Sequence, residues 1–581
     1  MTADTAQEPA SSGNGADAII HAFHRHGIDT IFGYPGGCIM PLYDALIGSG
    51  IRHILCRHEQ GAALAADGYA RASGRLGVCV ATSGPGATNL ITGIANAYMD
   101  SIPMLVLTGQ VPRGLIGTDA FQETDILGMT LGIVKHSYLV QDANRLPAIL
   151  DEAIELATTG RPGPVLIDLP KDVLLSPVDL ALTQPAHSGR SQTARPAISP
   201  EQMERARQML AQAKRPVLYS GGGVSLAGAE GALRRFAEIS GIPQVVTLKG
   251  IGNPGRGNPL NLGMLGMHGS KAANRAVQES DLLICVGARF DDRATGKIDT
   301  FSPGARILQL DVDASEIGKL RAVDLGLLGD LSELLGALAQ PLDIEPWRDW
   351  CLTTKAQDGY PSPELHPAFH TRITGPAFIE RLAEMAGPEA IVACDVGQHQ
   401  MWVAQYYEFD HPRKHLSSGG LGTMGFGLPA ALGAQLARPD QPVLNISGDG
   451  SFMMNVQELA TLKRYGLPVK MIILDNQCLG MVRQQQELFY RNRYSEIDLS
   501  DNPDFLQLAA AFGIPGRSIK SPDQIEGAVR DCLDFDGPYL LHVQIEAADN
   551  VWPIVAPGAS NDQMLESSPY RTTQQTQGAT Q

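Results

Sequence analysis

SGDGSFMMNVQELATLKRYGLPVKMIILDNQ, residues 447–477, decides how this chain folds. The apolar run VLNIS (443–447) leads into it as a buried strand, and Gly448, Asp449 and Gly450 make a tight turn at its end. The spacing then predicts a helix with Val456, Leu459 and Leu462 or Leu467 on its apolar side, followed by a second strand, KMIILDN (470–476). A strand, a helix and a parallel strand join by a right-handed crossover. Asp449 and Asn476 therefore both fall at C-terminal strand ends, where open α/β sheets bind ligands. A carboxylate and an amide oxygen suit a hard cation such as Mg²⁺, which takes few ligands from protein and others from phosphate and water. The backbone N–H groups of Gly450 and Ser451 at a helix start suit an anion. The segment reads as a Mg²⁺–diphosphate site, against the competing reading of an ordinary strand turn with an Asx cap.

The same alternation extends through the chain. Candidate strands are 53–57, 77–82, 103–109 and 164–170 in the first third, 216–222, 243–248, 282–288 and 306–313 in the second, and 390–397, 442–450, 469–476 and 540–545 in the third. Continuous apolar strands with helical segments between them indicate parallel sheets covered on both faces. The expected fold is α/β, with three consecutive doubly wound parallel-sheet domains. Two low-pattern stretches, Thr183 to Pro200 and Pro341 to about Pro376, read as linkers. They give expected domains at 15–182, 200–340 and 376–560, with a Gln-, Thr- and Ser-rich tail, 561–581, expected to be disordered.

Composition narrows the function. The 45 Lys and Arg against 62 Asp and Glu give a net charge of −17, which argues against nucleic acid or an anionic membrane surface as a partner. The chain contains no apolar run of about 18 residues. Residues 1–15 have neither signal-peptide nor transit-peptide character, so the expected compartment is the cytoplasm. The eight cysteines form no C-x-x-C pair and read as free thiols. The 63 glycines and 38 prolines exceed the average usage of about 12% for the pair, and must serve turns and close backbone approaches.

In the first third, CRHEQGAALAADGYARASGR (56–75) sets Glu59 just after a strand and at the head of an Ala- and Gly-rich helix. Close packing there predicts a largely buried carboxylate with a raised pKa. The competing reading is a helix-start Glu bonded to backbone N–H groups. SGPGATN (83–89) follows the next strand and opens another helix, with Gly84 and Gly86 permitting close backbone approach.

Taken together, these motifs resemble the thiamine diphosphate enzymes. In that superfamily GDG precedes an asparagine pair by one crossover, and a glutamate in an R-H-E-Q-G-A context shares a proton with the cofactor's aminopyrimidine. Longer motifs make the resemblance specific over about 15–560. FGYPGG (32–37), GQVPRGLIGTDAFQE (109–123), GMLGMHG (263–269), GARFDDR (287–293), VGQHQMW (396–402), SGGLGTMGFGLPAA (418–431) and MVRQQQ (481–486) are similar to those of the acetohydroxyacid synthases, the catalytic large subunits of acetolactate synthase.

The resemblance implies an activity. Pyruvate is decarboxylated on thiamine diphosphate, and the hydroxyethyl carbanion passes to a second 2-oxoacid, pyruvate or 2-oxobutanoate, at the start of branched-chain amino-acid synthesis. It also implies roles. Glu59 activates the cofactor, while Gln398, His399, Gly422, Met424 and Met481 line it, Met424 as a bulky prop. Gly448, Asp449, Gly450 and Ser451 serve the diphosphate, and Asp449, Asn476 and the Cys478 carbonyl hold Mg²⁺. Gly37, Phe121, Gln122 and Lys171 approach the reacting centre from the first domain. Arg293 binds the acceptor carboxylate, for which a guanidinium is the right fork; its bland reading is an ion pair with Asp291 or Asp292. Arg161, His268, Arg289, Asp311 (or Asp313) and Asp330 match a structural, non-redox FAD site. The assembly implied is a homodimer or homotetramer whose active site joins Glu59 of one subunit to the metal site of another, often with a small regulatory subunit.

Two positions depart from the pattern. Asp475 stands where the family has its first Asn. Gln485 stands where many members carry a Trp that shapes the pocket for 2-oxobutanoate, and so resembles bacterial isozyme I. The alternatives are a flavin-redox pyruvate oxidase on the same fold, another thiamine-dependent decarboxylase or carboligase, and a binding protein with a decayed site. Oxygen uptake without acetolactate would mark the first.

Overall fold

Each third of the chain builds a six-stranded, all-parallel sheet, as the alternating pattern predicts. The computed structural model describes residues 12–180 and 199–569. The first expected linker lies almost wholly in 181–198, outside the described residues, as do residues 1–11 and the last part of the expected tail, 570–581. Two compact units form, one holding described residues 12–180 with 432–437, the other holding the remainder.

In the first unit the sheet runs in the order Arg52–Leu55, Thr30–Gly33, Gly77–Ala81, Met104–Gln110, Pro164–Pro170 and His136–Leu139. The inner strands Gly77–Ala81, Met104–Gln110 and Pro164–Pro170 are buried at every position. The helix Glu59–Ser73 packs on this sheet. His58 caps it, its Nδ1 accepting the Gln60 N–H, and Gly74 ends it in the left-handed region (φ 74°). Its small residues permit very close approach: a Cβ on Gly93 would lie 2.4 Å from Ala63 Cβ. Arg71, near the helix end, is buried between Asp67 and Asp100, with Asn96 donating to Asp67.

The second unit carries two sheets. One runs Asn261–Met264, Gln244–Val246, Pro216–Ser220, Leu282–Val286, Arg306–Asp311 and Leu325–Leu328. The other runs His415–Ser417, Ile391–Cys394, Val443–Gly448, Lys470–Asp475, Tyr539–Gln544 and Gly516–Ile519. They are tied within the unit by Lys249 Nζ on the Ser417 carbonyl (2.9 Å) and Gln405 Nε2 on the His268 carbonyl (3.0 Å). No helix among the described residues is long and apolar enough to cross a membrane.

Three local expectations are corrected. The crossover after Gly448 is not one helix but Asp449–Met453, a 3₁₀ turn Val456–Glu458 and Leu459–Tyr465. Asn455 breaks it with a non-helical backbone (φ −134°, ψ 28°), its amide turned onto the Gly425 carbonyl. The second linker holds the helix Glu345–Asp358, started by Pro346. Its Trp347 and Cys351 join the core of the middle sheet, and Trp347 Nε1 donates to the Pro216 carbonyl (3.0 Å). Scattered prolines hid an amphipathic helix whose proline sits at its first turn, where the missing N–H costs nothing. The described start of the tail, 561–569, is ordered. Met564–Leu565 pairs with Ile554–Val555, and fully buried Asn561 donates to the Ala294 carbonyl.

Candidate functional site

Two constellations form at C-terminal strand ends, one in each unit. In the second unit, Asp449 follows the strand Val443–Gly448 directly, and Asn476 follows its parallel neighbour Lys470–Asp475, which places Gly448 opposite Leu474. Asp449 is 2% exposed. Burial, and then the adjacent Asp475 carboxylate, push its pKa up to about 7 against the pull of backbone N–H groups at its own helix start. Its Oδ2 accepts from Asn502 Nδ2 (3.1 Å). Two buried carboxylates facing each other call for a cation, and the Asn476 amide lies beside them.

The turn after Asn476 is shaped for ligation. Gln477 is left-handed (φ 56°), and the Cys478 N–H donates to Asn476 Oδ1 (3.2 Å). Asp475, the departure from the family pattern, is also held by two other groups. Its Oδ2 bonds His542 Nε2 (2.8 Å), and its Oδ1 takes the Gln477 N–H (2.9 Å). An aspartate here keeps the turn that an asparagine would make.

Gln398 and His399 lie beside Asn476 and the Gly448 turn. His399 is buried, and burial drives its pKa down to about 3, so its ring is neutral. Its Nε2 has no partner among the described residues, and a Cβ on Gly448 would lie 3.1 Å from its ring. An orphaned, neutral ring nitrogen beside a closely approaching glycine fits a bound polar group. Gln398 is buried next to it and bonds Asn476. Gly422 is left-handed (φ 70°) with open space at its Cβ position, and Met424 and Met481 are half-buried. Ser451 closes the turn by accepting the Gly448 N–H (3.1 Å), while Gly450 is the second residue of the short helix.

Sequence reasoning missed what holds Met424. Asp395 is fully buried and accepts from Val396 N, Gly425 N (2.9 Å) and Gly427 N (3.1 Å), while Asn455 donates to the Gly425 carbonyl (2.8 Å). Burial pushes the Asp395 carboxyl up to about 6. Its signal was a lone acid at the end of an apolar strand, opposite a glycine-rich loop.

In the first unit, Glu59 opens its helix as expected, but it is half-buried rather than enclosed, because the first turn of the helix stands at the open strand-end face. Its Oε2 accepts from Asn89 Nδ2 (3.0 Å), and a Cβ on Gly86 would lie 3.3 Å from its Oε1. The SGPGATN segment thus packs against Glu59. Ser83 Oγ there is buried without a partner among the described residues. Left-handed Gly84 meets Gln122, so the loop carrying Gln122 and the exposed Phe121 reaches the same end of the sheet. Gly37 is exposed with open space at its Cβ position. Lys171 begins the helix that follows the strand Pro164–Pro170.

Around the middle sheet, His268 is buried, with a pKa lowered to about 4 by burial and then by Arg293, and its Nδ1 is unpartnered among the described residues, so a bound ligand could satisfy it. Asp311 ends its strand and is pushed up to about 6 by burial, its Oδ1 taking the Val312 and Asp313 N–H groups. Asp330 caps the helix Leu331–Leu338, and Arg289 lies half-buried after the strand Leu282–Val286. Arg161 belongs to the first unit and donates to Ser101 Oγ (2.8 Å). Arg293 is largely exposed, 3.9 Å from Asp292, while Asp291 instead caps the turn that carries it. Gln485 lies exposed on the helix Gly480–Phe489.

Comparison with known proteins matches each third of the chain to a known domain. Residues 13–129 match the thiamine pyrophosphate enzyme N-terminal TPP binding domain, 203–338 the central domain, and 395–543 the C-terminal TPP binding domain. The chain is 55% identical over 553 residues to the acetolactate synthase isozyme 2 large subunit of Escherichia coli, covering 95% of this chain and 99% of that one. It is 49% identical to an acetolactate synthase large subunit of Parasynechococcus marenigrum, over 95% and 91% of the two chains. It is 46% identical to the isozyme 1 large subunit of Escherichia coli, over 95% and 97%. The likeness to isozyme 1 noted at Gln485 is therefore a feature of one position within a chain whose overall identity with isozyme 2 is higher.

Proposed function

Because the chain belongs to the family of acetolactate synthase large subunits, we propose that it joins the two-carbon fragment left by decarboxylation of one pyruvate to a second 2-oxoacid, giving 2-acetolactate from pyruvate or 2-aceto-2-hydroxybutanoate from 2-oxobutanoate. The observation that carries this reading is the Asp449–Asn476 pair at adjacent strand ends, one member a carboxylate pushed up to about 7 by burial and then by the Asp475 carboxylate. Thiamine diphosphate, when bound, supplies the electron sink for decarboxylation and carbon–carbon bond formation.

The chain's own residues do the rest. Asp449, Asn476 and the Cys478 carbonyl hold Mg²⁺, and the N–H groups of Gly450 and Ser451 receive the diphosphate. Gln398, His399, Gly422 and Met481 line the cofactor, and Met424 props it from a loop fixed by Asp395. Glu59 takes and returns the activating proton, with Asn89 fixing its carboxylate. Gly37, Phe121, Gln122 and Lys171 border the reacting centre, and Arg293 binds the acceptor carboxylate. Arg161, His268, Arg289, Asp311 and Asp330 hold FAD in a structural, non-redox role. The active site forms across two subunits of a homodimer or homotetramer in the cytoplasm, with a small regulatory subunit as a further partner. The domains serving these roles are 15–182 for the pyrimidine end, 200–340 for FAD and 376–560 for the diphosphate.

The test is a product assay with pyruvate, thiamine diphosphate, Mg²⁺ and FAD, with and without 2-oxobutanoate. Acetolactate is the expected product; oxygen uptake or acetaldehyde without acetolactate would overturn the reading. With both acceptors present, Gln485 predicts little preference between them. Gln485→Trp should restore a preference for 2-oxobutanoate of roughly 10-fold, the low end of what a lost apolar contact is worth.

A further inference from the structure

Asn476 can serve a cation only through its oxygen, yet an amide turned over presents an NH₂ of nearly the same shape. Its orientation is held from two sides, by the Cys478 N–H on its oxygen (3.2 Å) and by a chain of side-chain amides on its nitrogen that ends on backbone groups that cannot turn. Gln484, fully buried on the helix Gly480–Phe489, pairs with Val551 at both ends of its amide. Its Oε1 accepts the Val551 N–H (2.9 Å), and its Nε2 donates to the Val551 carbonyl (2.8 Å). With Gln484 fixed, its Oε1 also accepts from Gln398 Nε2 (3.2 Å), which donates in addition to the Asp549 carbonyl (2.9 Å). That leaves Gln398 Oε1 facing Asn476, where it accepts from Nδ2 (3.2 Å). The NH₂ of Asn476 is thereby committed to the protein and its oxygen turned the other way, towards the Cys478 turn. The fit is tight, since a Cβ on Gly480 would lie 2.1 Å from Gln398 Oε1 and 2.6 Å from Asn476 Nδ2.

We propose that Gln484, through Gln398, is a positioning residue for the metal site. It transmits the polarity of the Val551 backbone through two amides, so that Asn476 offers oxygen rather than nitrogen to Mg²⁺. This rests on the reading of Asn476 as a metal ligand given above. Reversing any one amide would set donor against donor or acceptor against acceptor among buried side chains. The helix so anchored is the one that carries Gln485, so the same contact fixes the helix bearing the acceptor-selectivity position.

The experiment is calorimetric titration of Mg²⁺ into the full chain with thiamine diphosphate, which reads binding without turnover. The wild-type arm alone tests the reading of the metal site: absence of Mg²⁺ binding there would overturn it and this inference together. Gln484→Met keeps length and helix propensity but removes both polar groups. It should weaken Mg²⁺ binding about 10-fold, as loss of an outer-shell partner does. Gln484→Glu, protonated in this buried setting, can still accept from Val551 N and Gln398 and donate to the Val551 carbonyl, so it should stay within about 3-fold of wild type on the same scale. A merely structural role orders the two the other way, because a buried acid is harder to accommodate than a methionine. In an Asn476→Asp background either carboxylate oxygen serves the cation, so Gln484→Met should cause no further loss. Equal affinity of Gln484→Met and wild type, a weaker Gln484→Glu than Gln484→Met, or an undiminished loss in the Asn476→Asp background would each overturn the proposal.

Discussion

Glu59 and Asp449 occupy the same topological position in different sheets. Each heads a helix just after a parallel strand. Their surroundings are opposite. Glu59 is half-buried, meets one neutral amide donor and starts a 15-residue helix anchored at its far end by buried Arg71. Asp449 is 2% exposed, faces a second carboxylate and starts a helix of only 5 residues. The strand end makes a carboxylate available, but the neighbours decide whether it exchanges protons or waits for a cation. An acid pressed against another acid in the interior is stable only protonated or metallated.

The largest effect that would break this contrast is at Glu59. Glu59→Ala should lower acetolactate formation by about 10³-fold, within the usual range for a lost acid–base group, while leaving Mg²⁺ titrations unchanged. Retained activity would mean that the two acids do not divide the work as described. Next comes Asp449→Asn, which should weaken Mg²⁺ binding by at least about 100-fold, beyond the cost of an outer-shell partner. The same residue gives a pH signature. Its folded pKa is raised from the ordinary 3.8 to about 7, so in cation-free protein its contribution to stability is complete below about pH 4 and lost as pH rises through about 7. Cation-free melting temperatures should fall over that window, Mg²⁺ with thiamine diphosphate should reverse the fall above it, and Asp449→Asn should flatten it. A wild-type profile as flat as that of the variant would remove the carboxylate conflict from the account.

A smaller effect sharpens the other side. A Cβ on Gly86 would lie 2.8 Å from Thr82 Cγ2 and 3.3 Å from Glu59 Oε1, so Gly86→Ala should displace Glu59 by a few tenths of an ångström. Positioning errors of 1 Å can cost about 100-fold, and a shift of this size should cost turnover about 10-fold with Mg²⁺ affinity untouched. Wild-type turnover would show that Glu59 is not held by this glycine.

Much of this was legible in the sequence because it depends on local order. Twelve strands were readable as apolar runs, and all but the edge strand Arg52–Leu55 lie inside their sheets; of those missed, Asn261–Met264, Leu325–Leu328, Gly516–Ile519 and His136–Leu139 lie at sheet edges, where half-exposed residues blur the pattern. Thr30–Gly33 was missed inside its sheet because four residues running into YPGG carry too little periodicity. Asp449, Asn476 and Glu59 could be found because strand-end position follows from chain order. Asp395, Asn455 and Gln484 could not, since their roles depend on pairings between segments far apart in sequence. Burial of Glu59 was overestimated for the same reason: small residues in a helix predict close packing along its length, not enclosure of its first turn.

The smallest predicted effect concerns the loop that carries Met424. On the Glu59 side, positions are set by glycines that leave no room. On the Asp449 side, the loop is set by a buried acid, Asp395, gathering the N–H groups of Val396, Gly425 and Gly427. Asparagine can replace only one oxygen, so Asp395→Asn turns an NH₂ towards a backbone donor and leaves that donor unsatisfied, at a cost of about 1–3 kcal/mol. Much of that strain should relax into the loop rather than the sheet, because Asn455 still holds the Gly425 carbonyl. The expected outcome is a rise of roughly 3-fold in the thiamine diphosphate concentration needed for half-saturation, the low end of that cost expressed as an affinity, with Mg²⁺ affinity at saturating cofactor unchanged. An equal loss in both titrations would place Asp395 in the scaffold of the metal site, and the loop bearing Met424 would no longer be a separate element from the strand ends that hold Asp449.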